Sequence, residues 1–164
     1  MQTVYFFIAL LNDFFGSNEN APAKPPFIRK LKDYIFASLA FPTAMYVGVT
    51  FWSLMAVDRE LVFPKVLDEF FPTWLNHLMH TNIMIFIYLE MFLTFRPYPK
   101  SKRGISGMLI LLVAYLSWVH VIYYYSGTWV YPILEVLNWP LKVCFYLASL
   151  VLGIGFYLLG EFSN

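Results

Sequence analysis

Residues 105–125 read ISGMLILLVAYLSWVHVIYYY, a run of 21 positions without Asp, Glu, Lys or Arg. A helix needs ~20 such residues to cross ~30 Å of hydrocarbon, so this run predicts a transmembrane helix. The whole chain has 164 residues, of which 60% are hydrophobic and 13% charged, whereas a soluble domain is about 25% charged. A chain this short cannot bury so much apolar surface in an aqueous core. The composition therefore predicts an all-α, polytopic transmembrane helix bundle.

Outward from this run, similar apolar stretches predict further spans. Full spans are expected at about 34–57, 74–95 and 141–159, and residues 1–15 form a partial span because they are too short to cross alone. These four full spans and one partial span make up a single transmembrane domain, residues 1–164. The net charge of +1 argues against a nucleic-acid partner, and the single Cys144 excludes an intramolecular disulfide. We expect no cofactor.

The loops between the spans alternate in charge. Residues 16–32 and 96–104 carry four Lys or Arg each, whereas 58–73 carry two and 126–142 carry one. The positive-inside rule then places the two basic loops in the cytosol. In that topology, the three histidines of the chain (His77, His80 and His120) fall in the same leaflet, so they form one site or coincide by chance.

Three interpretations of these histidines are open at this level. Asn76 and His77 lie four and three residues before His80, so these side chains can share a helix face with it. The first interpretation is an interfacial imidazole bonded to a carbonyl. The second is a metal site ligated by His77, His80 and His120, but the spacing is not HExxH and no acidic ligand is nearby, so we predict no metal. The third is a general base that activates a hydroxyl.

Glu90 is the only carboxylate well inside a predicted span. Such a residue is a functional candidate by default. It lies towards the opposite end from the histidines, so a role in helix pairing or snorkelling is expected instead.

Several motifs carry a resemblance that runs through essentially the whole chain in the same order. The motifs are Ala40-Phe41-Pro42, Asp58-Arg59-Glu60, FPKVLD at 63–68, Trp74-Leu75-Asn76-His77 with Met79-His80-Thr81, GTWVYP at 127–132 and YLLGE at 157–161. Together they resemble the androgen-induced / androgen-dependent TFPI-regulating protein family.

The resemblance implies a multipass membrane hydrolase that cleaves fatty acid esters of hydroxy fatty acids (FAHFAs) with a threonine and a histidine. The catalytic histidine of the family is the second one in Asn-His-x-Met-His, which is His80 here. Asn76, His77, Thr81 and His120 are expected to line the site. The bilayer and a lipid substrate are the expected partners, and the endoplasmic reticulum or the plasma membrane is the expected location.

The resemblance also implies where the nucleophile lies. Gln2 and Thr3 align midway along the family's second membrane helix, and the nucleophilic threonine lies about eight residues earlier, or ~12 Å along a helix. Thr3 is therefore not that residue, and the chain is expected to be N-terminally truncated and nearly inactive, with six spans in a full-length relative. The alternative is a non-catalytic multipass regulatory or lipid-binding protein.

Overall fold

A computed structural model describes residues 1–19 and 22–164, and this part of the chain contains helices but no strand. The fold is therefore all-α, as predicted. The helices are α1 (Gln2–Phe15), α2 (Phe27–Val57), α3 (residues 73–93), α4 (Ser101–Ser126), α5 (Pro132–Val136) and α6 (Trp139–Ser163). Short 3₁₀ turns, Arg59–Leu61 and Lys65–Glu69, lie in the connection between α2 and α3.

Three of these helices, α2, α4 and α6, are long and apolar enough to cross a membrane. The expectation of four full spans is not confirmed, because α3 does not reach that hydropathy. Its first half carries Asn76, His77 and His80, which lower the apolar character of the segment. α1 is a shorter apolar helix, which fits the partial span expected there.

α2 begins at Phe27, earlier than the predicted start at residue 34. Its first turns carry Arg29, Lys32 and Asp33, and the sequence analysis placed the first two in the loop 16–32. In the structure all three side chains are buried against neighbouring segments. Tertiary contacts therefore extend the helix into charged sequence.

α2 is the central helix of the bundle. In its most apolar stretch 61% of the residues are buried, against 11% for α4 and for α6. It packs against α1, α3, α4 and α6. Its buried residues Phe36 and Phe41 meet Tyr5 of α1 and Ile87 of α3 in the main core. The outer helices keep large apolar side chains on their surfaces, where lipid is the natural neighbour.

Two wide, π-helical turns interrupt the regular α-helical geometry of α2 and α3. The first, Phe36–Ala40, closes with a bond from the Phe41 N–H to the Phe36 carbonyl. It lies just before Pro42, which has no N–H to donate to Ser38 one turn back. The second, Leu78–Asn82, contains His80 and Thr81. Single π-helical turns are common at functional sites because they re-aim side chains without ending the helix.

Candidate active site

The candidate active site lies where α2 crosses the π-helical turn of α3. Gly48 is buried at this crossing, and a Cβ atom added to it would lie 2.6 Å from the carbonyl oxygen of His80. Only a residue without a side chain allows the two backbones to approach this closely. The close approach brings Phe51 and Trp52, in the next turn of α2, against His80 and His77.

The ring of His80 is held on both a face and an edge. Its face stacks on Phe51, with ring centroids 3.6 Å apart and planes within 9° of parallel. On its edge, Nδ1 lies 2.7 Å from Oδ1 of Asn76 and 3.1 Å from the Asn76 carbonyl oxygen. Asn76 is itself buried and 5% exposed. The imidazole is thus fixed in position and orientation by two residues.

These contacts also fix the tautomer of His80. A backbone carbonyl oxygen can only accept a hydrogen bond, so Nδ1 must carry the proton and donate it towards Asn76. Nε2 is then left with its lone pair, and no residue in the described part of the chain bonds to it. An oriented imidazole with a free Nε2 has the geometry of a general base.

His77 and Thr81 form a second polar group one turn apart. His77 Nδ1 lies 3.1 Å from the Thr81 hydroxyl oxygen, which also accepts a 3.1 Å bond from the indole N–H of Trp52. The His77 ring stacks over Trp52 with centroids 5.1 Å apart. Thr81 accepts the indole bond with a lone pair of its oxygen. Its own hydroxyl proton is not used in that bond and can point at Nδ1 of His77.

His120 belongs to a different cluster, near the C-terminal end of α4. Its Nδ1 lies 2.8 Å from the Leu116 carbonyl oxygen. Its ring contacts Trp129, Trp139 and Tyr146 at centroid distances of 5.3–6.4 Å. Within the described residues, no hydrogen bond or ring contact joins it to His77 or His80. The structure therefore brings together Asn76, His77, His80 and Thr81, and places His120 apart from them.

A metal site has no ligand set in this arrangement. No group of three or more His, Cys, Asp or Glu side chains comes together among residues 1–19 and 22–164. Glu90 does not face the histidines. Its Oε1 accepts a 2.5 Å hydrogen bond from Tyr5 and pairs with Arg96 at 2.9 Å, which fits the pairing role expected for it.

The sequence analysis missed the contribution of α2 to the site. Phe51 and Trp52 lie three and four residues after Gly48, so the three residues form one stripe on a helix. This small-then-aromatic stripe is the signal that could have marked α2 as the partner of the histidine turn. In a span rich in aromatic residues, that stripe does not stand out.

Comparison with known proteins identifies relatives of this chain. A sequence model of the FAR-17a/AIG1-like protein family matches residues 1–164. The chain is 35% identical over 170 residues to the human Androgen-induced gene 1 protein, covering 100% of this chain and 71% of that protein. It is 39% identical over 165 residues to the Androgen-dependent TFPI-regulating protein of Rattus norvegicus, with the same coverage of both chains.

A more distant relative is a UPF0641 membrane protein of Schizosaccharomyces pombe, 30% identical over 132 residues that cover 79% of this chain and 58% of that protein. No solved structure matches the chain. The family match over the full length, together with the apolar helices, identifies an integral membrane protein. The chain belongs to the FAR-17a/AIG1-like family.

Proposed function

We propose that this chain carries the general base of a membrane-embedded hydrolase that cleaves FAHFA lipids, and that His80 is that base. The observation that carries the proposal is the fixed imidazole: Nδ1 donates to Asn76, the ring stacks on Phe51, and Nε2 is free. Imidazole is the side chain best suited to move a proton near neutral pH. The resemblance to the family supplies the substrate class and the partner, a threonine hydroxyl.

In this mechanism the threonine oxygen attacks the ester carbonyl carbon while Nε2 of His80 takes the hydroxyl proton. The tetrahedral intermediate collapses, the ester C–O bond breaks, and His80 returns the proton to the departing hydroxy fatty acid. Water then attacks the acyl-threonine with His80 again taking a proton, which releases the fatty acid and restores the threonine. A site poor in water strengthens each of these electrostatic steps.

We place the nucleophile upstream of Gln2, on a helix that would bring it into the leaflet of His80. The proposal includes six spans in a full-length relative and a location in the endoplasmic reticulum or the plasma membrane. It also includes full activity only when that upstream helix is present. Thr81 carries a hydroxyl one residue after His80, but that hydroxyl is paired with His77 rather than with His80.

The test uses purified protein in detergent, both as this chain and as a form extended at its N terminus by a threonine-bearing helix of a relative. FAHFA hydrolysis is followed by mass spectrometry of the released fatty acid. We expect turnover in the extended form only, and a ~10²–10⁴-fold loss on His80→Ala. His120→Ala is the matched control because it removes the same side chain from the other cluster.

Each alternative gives a different result. Equal turnover in the two forms would overturn the upstream nucleophile, and its loss on Thr81→Val would assign the nucleophile to Thr81. Unchanged turnover of a folded His80→Ala variant would overturn His80 as the base. No turnover in the extended form would favour a regulatory or lipid-binding protein without catalysis.

A further inference from the structure

A charged cavity lies at the opposite end of α3 from the histidines, between α1, the segment that follows it, α2 and the end of α3. Its volume is about 300 Å³. Its charged and polar lining residues are Asp13, Asn18, Arg29, Lys32, Glu90 and Thr94, and the apolar Leu93 lies beside them. None of them takes part in the proposed hydrolysis.

We propose that this cavity binds the phosphate of an acidic phospholipid, with Lys32 as the main counter-charge. Lys32 lines the cavity and is only 3% exposed. Among residues 1–19 and 22–164 its ammonium makes one hydrogen bond, to Asn18 Oδ1 at 3.4 Å, although it has three protons to donate. In the described part of the chain, no carboxylate lies within ion-pair distance of it.

The neighbouring charges do not neutralise Lys32, because they neutralise one another. Arg29 pairs with Asp33 at 3.3 Å and Arg96 pairs with Glu90 at 2.9 Å. Asp13 also lines the cavity, but it is exposed and accepts a 2.7 Å bond from Asn18. Three buried cations therefore face the buried carboxylate of Asp33 and the partly buried carboxylate of Glu90, which leaves one positive charge inside the protein. A buried charge without a partner is costly, so an anion in the cavity would stabilise the protein.

An apolar groove on the same helix distinguishes a lipid from a free anion. It is formed by Met84, Ile85, Tyr88, Leu89 and Phe92, and its volume is also about 300 Å³. Leu89 of the groove lies one turn, or ~6 Å, before Leu93 of the cavity. A ligand with its phosphate at Lys32 would thus have an apolar surface beside it for an acyl chain. Free phosphate would use the cavity alone.

The chain around the cavity adds to the positive potential. Lys24, Lys30, Lys100, Lys102 and Arg103 belong to the two basic segments 16–32 and 96–104. Basic residues near a membrane surface attract acidic lipid. These exposed residues concentrate acidic lipid at this end of the bundle, and the buried Lys32 selects one molecule of it.

The experiment adds phosphatidylglycerol, phosphatidylcholine or inorganic phosphate to the delipidated protein in detergent. Retained lipid is counted by native mass spectrometry and the melting temperature is recorded. We expect the wild type to retain one phosphatidylglycerol molecule and to melt at a higher temperature with it, and to respond far less to phosphatidylcholine or phosphate. Lys32→Met should lower the affinity for phosphatidylglycerol at least tenfold, and Lys30→Met, an exposed position two residues away, should not.

A second measurement separates loss of binding from loss of folding. Without acidic lipid, Lys32→Met should melt no lower than the wild type, because methionine removes an uncompensated buried charge. Equal retention of phosphatidylglycerol and phosphatidylcholine by the wild type would overturn the proposal, whatever the variants do. An equal response to inorganic phosphate would overturn the lipid as the ligand, and equal losses in Lys30→Met and Lys32→Met would overturn the role of the buried lysine.

Discussion

At the scale of single residues, the candidate site depends on how Asn76 and Phe51 hold one imidazole. The ring of His80 is polar on its edge and flat on its face, and each property finds its partner: a carbonyl and an amide oxygen on the edge, and a phenyl ring on the face. A general base is effective only when its lone pair points at the proton that it removes. Asn76 is therefore a positioning residue in the proposed reaction.

Replacing Asn76 by alanine should lower kcat of the extended form by about ten- to a hundredfold, with little change in KM. The reason is that the Nδ1 proton keeps the backbone carbonyl but loses the 2.7 Å side-chain bond, so the ring is less well oriented. Steady-state kinetics on a FAHFA ester measure this split. Asn82→Ala, in the π-helical turn that contains His80, is the control, and an equal fall in kcat for both variants would contradict the positioning role.

At the scale of helices, the site is made by the crossing of α2 and α3. Two helices in a bilayer gain little from the hydrophobic effect, because lipid tails are as apolar as their side chains. Close backbone approach then becomes the main source of attraction. Gly48 gives that approach next to the His80 carbonyl, so the element that holds the base and the element that packs its ring are fixed to each other at one point.

Gly48→Ala should destabilise the protein by ~1–3 kcal/mol because the new methyl group meets the backbone of α3. We expect a lower melting temperature in detergent, measured by tryptophan fluorescence. Gly155→Ala is the matched control, since a Cβ there has no neighbour within 4 Å, and it should melt no lower than the wild type. Equal losses would mean that helix propensity, not the crossing, sets the effect.

At the scale of the whole molecule, one buried cation joins three helices and the C-terminal residue. Arg96 is completely buried and pairs with Glu90 of α3. Its guanidinium lies 3.4 Å over the ring of Phe36 in α2, and Tyr5 of α1 donates to the same carboxylate. The backbone carbonyl oxygen of Arg96 accepts a 2.6 Å hydrogen bond from the side-chain amide of Asn164. The loop after α3 thus holds the bundle together through polar contacts.

Arg96→Ala should cost ~3–5 kcal/mol because it leaves the partly buried Glu90 without its counter-charge. Thermal unfolding in detergent measures the loss. Arg59→Ala is the control: it removes the exposed pair with Asp68, and solvent screening makes such pairs nearly neutral. A similar fall in melting temperature for the two variants would contradict the structural role of Arg96.

The orientation of the bundle gives a prediction at the same scale. Residues 96–104 should face the cytosol and residues 58–72 the opposite side, because basic loops stay inside. A flexible insert that carries an Asn-x-Thr acceptor should be glycosylated when it is placed in residues 58–72 and not when it is placed in residues 96–104, in cells or microsomes. Glycosylation of the insert at 96–104 but not of the insert at 58–72 would show the opposite orientation and contradict this prediction.

The sequence by itself determined the class of protein, the regions in which most of the helices lie and the polar turn at 76–81. Hydropathy is summed over ~20 consecutive residues, so it can be evaluated without knowing which other helices a segment contacts. It set the start of α2 too late and counted residues 74–95 as a full span, because it cannot say whether a charged or polar side chain finds a partner. The resemblance to the family, carried by short motifs, selected His80.

Only the tertiary structure decided how these parts meet. It assigned His120 to a separate aromatic cluster, brought Phe51 and Trp52 to the histidine turn, and paired Glu90 with Arg96 while leaving Lys32 without a carboxylate partner. These outcomes depend on the rotation and depth at which each helix packs. That geometry is set by contacts between residues distant in the chain, such as Gly48 with His80, and no local pattern encodes it.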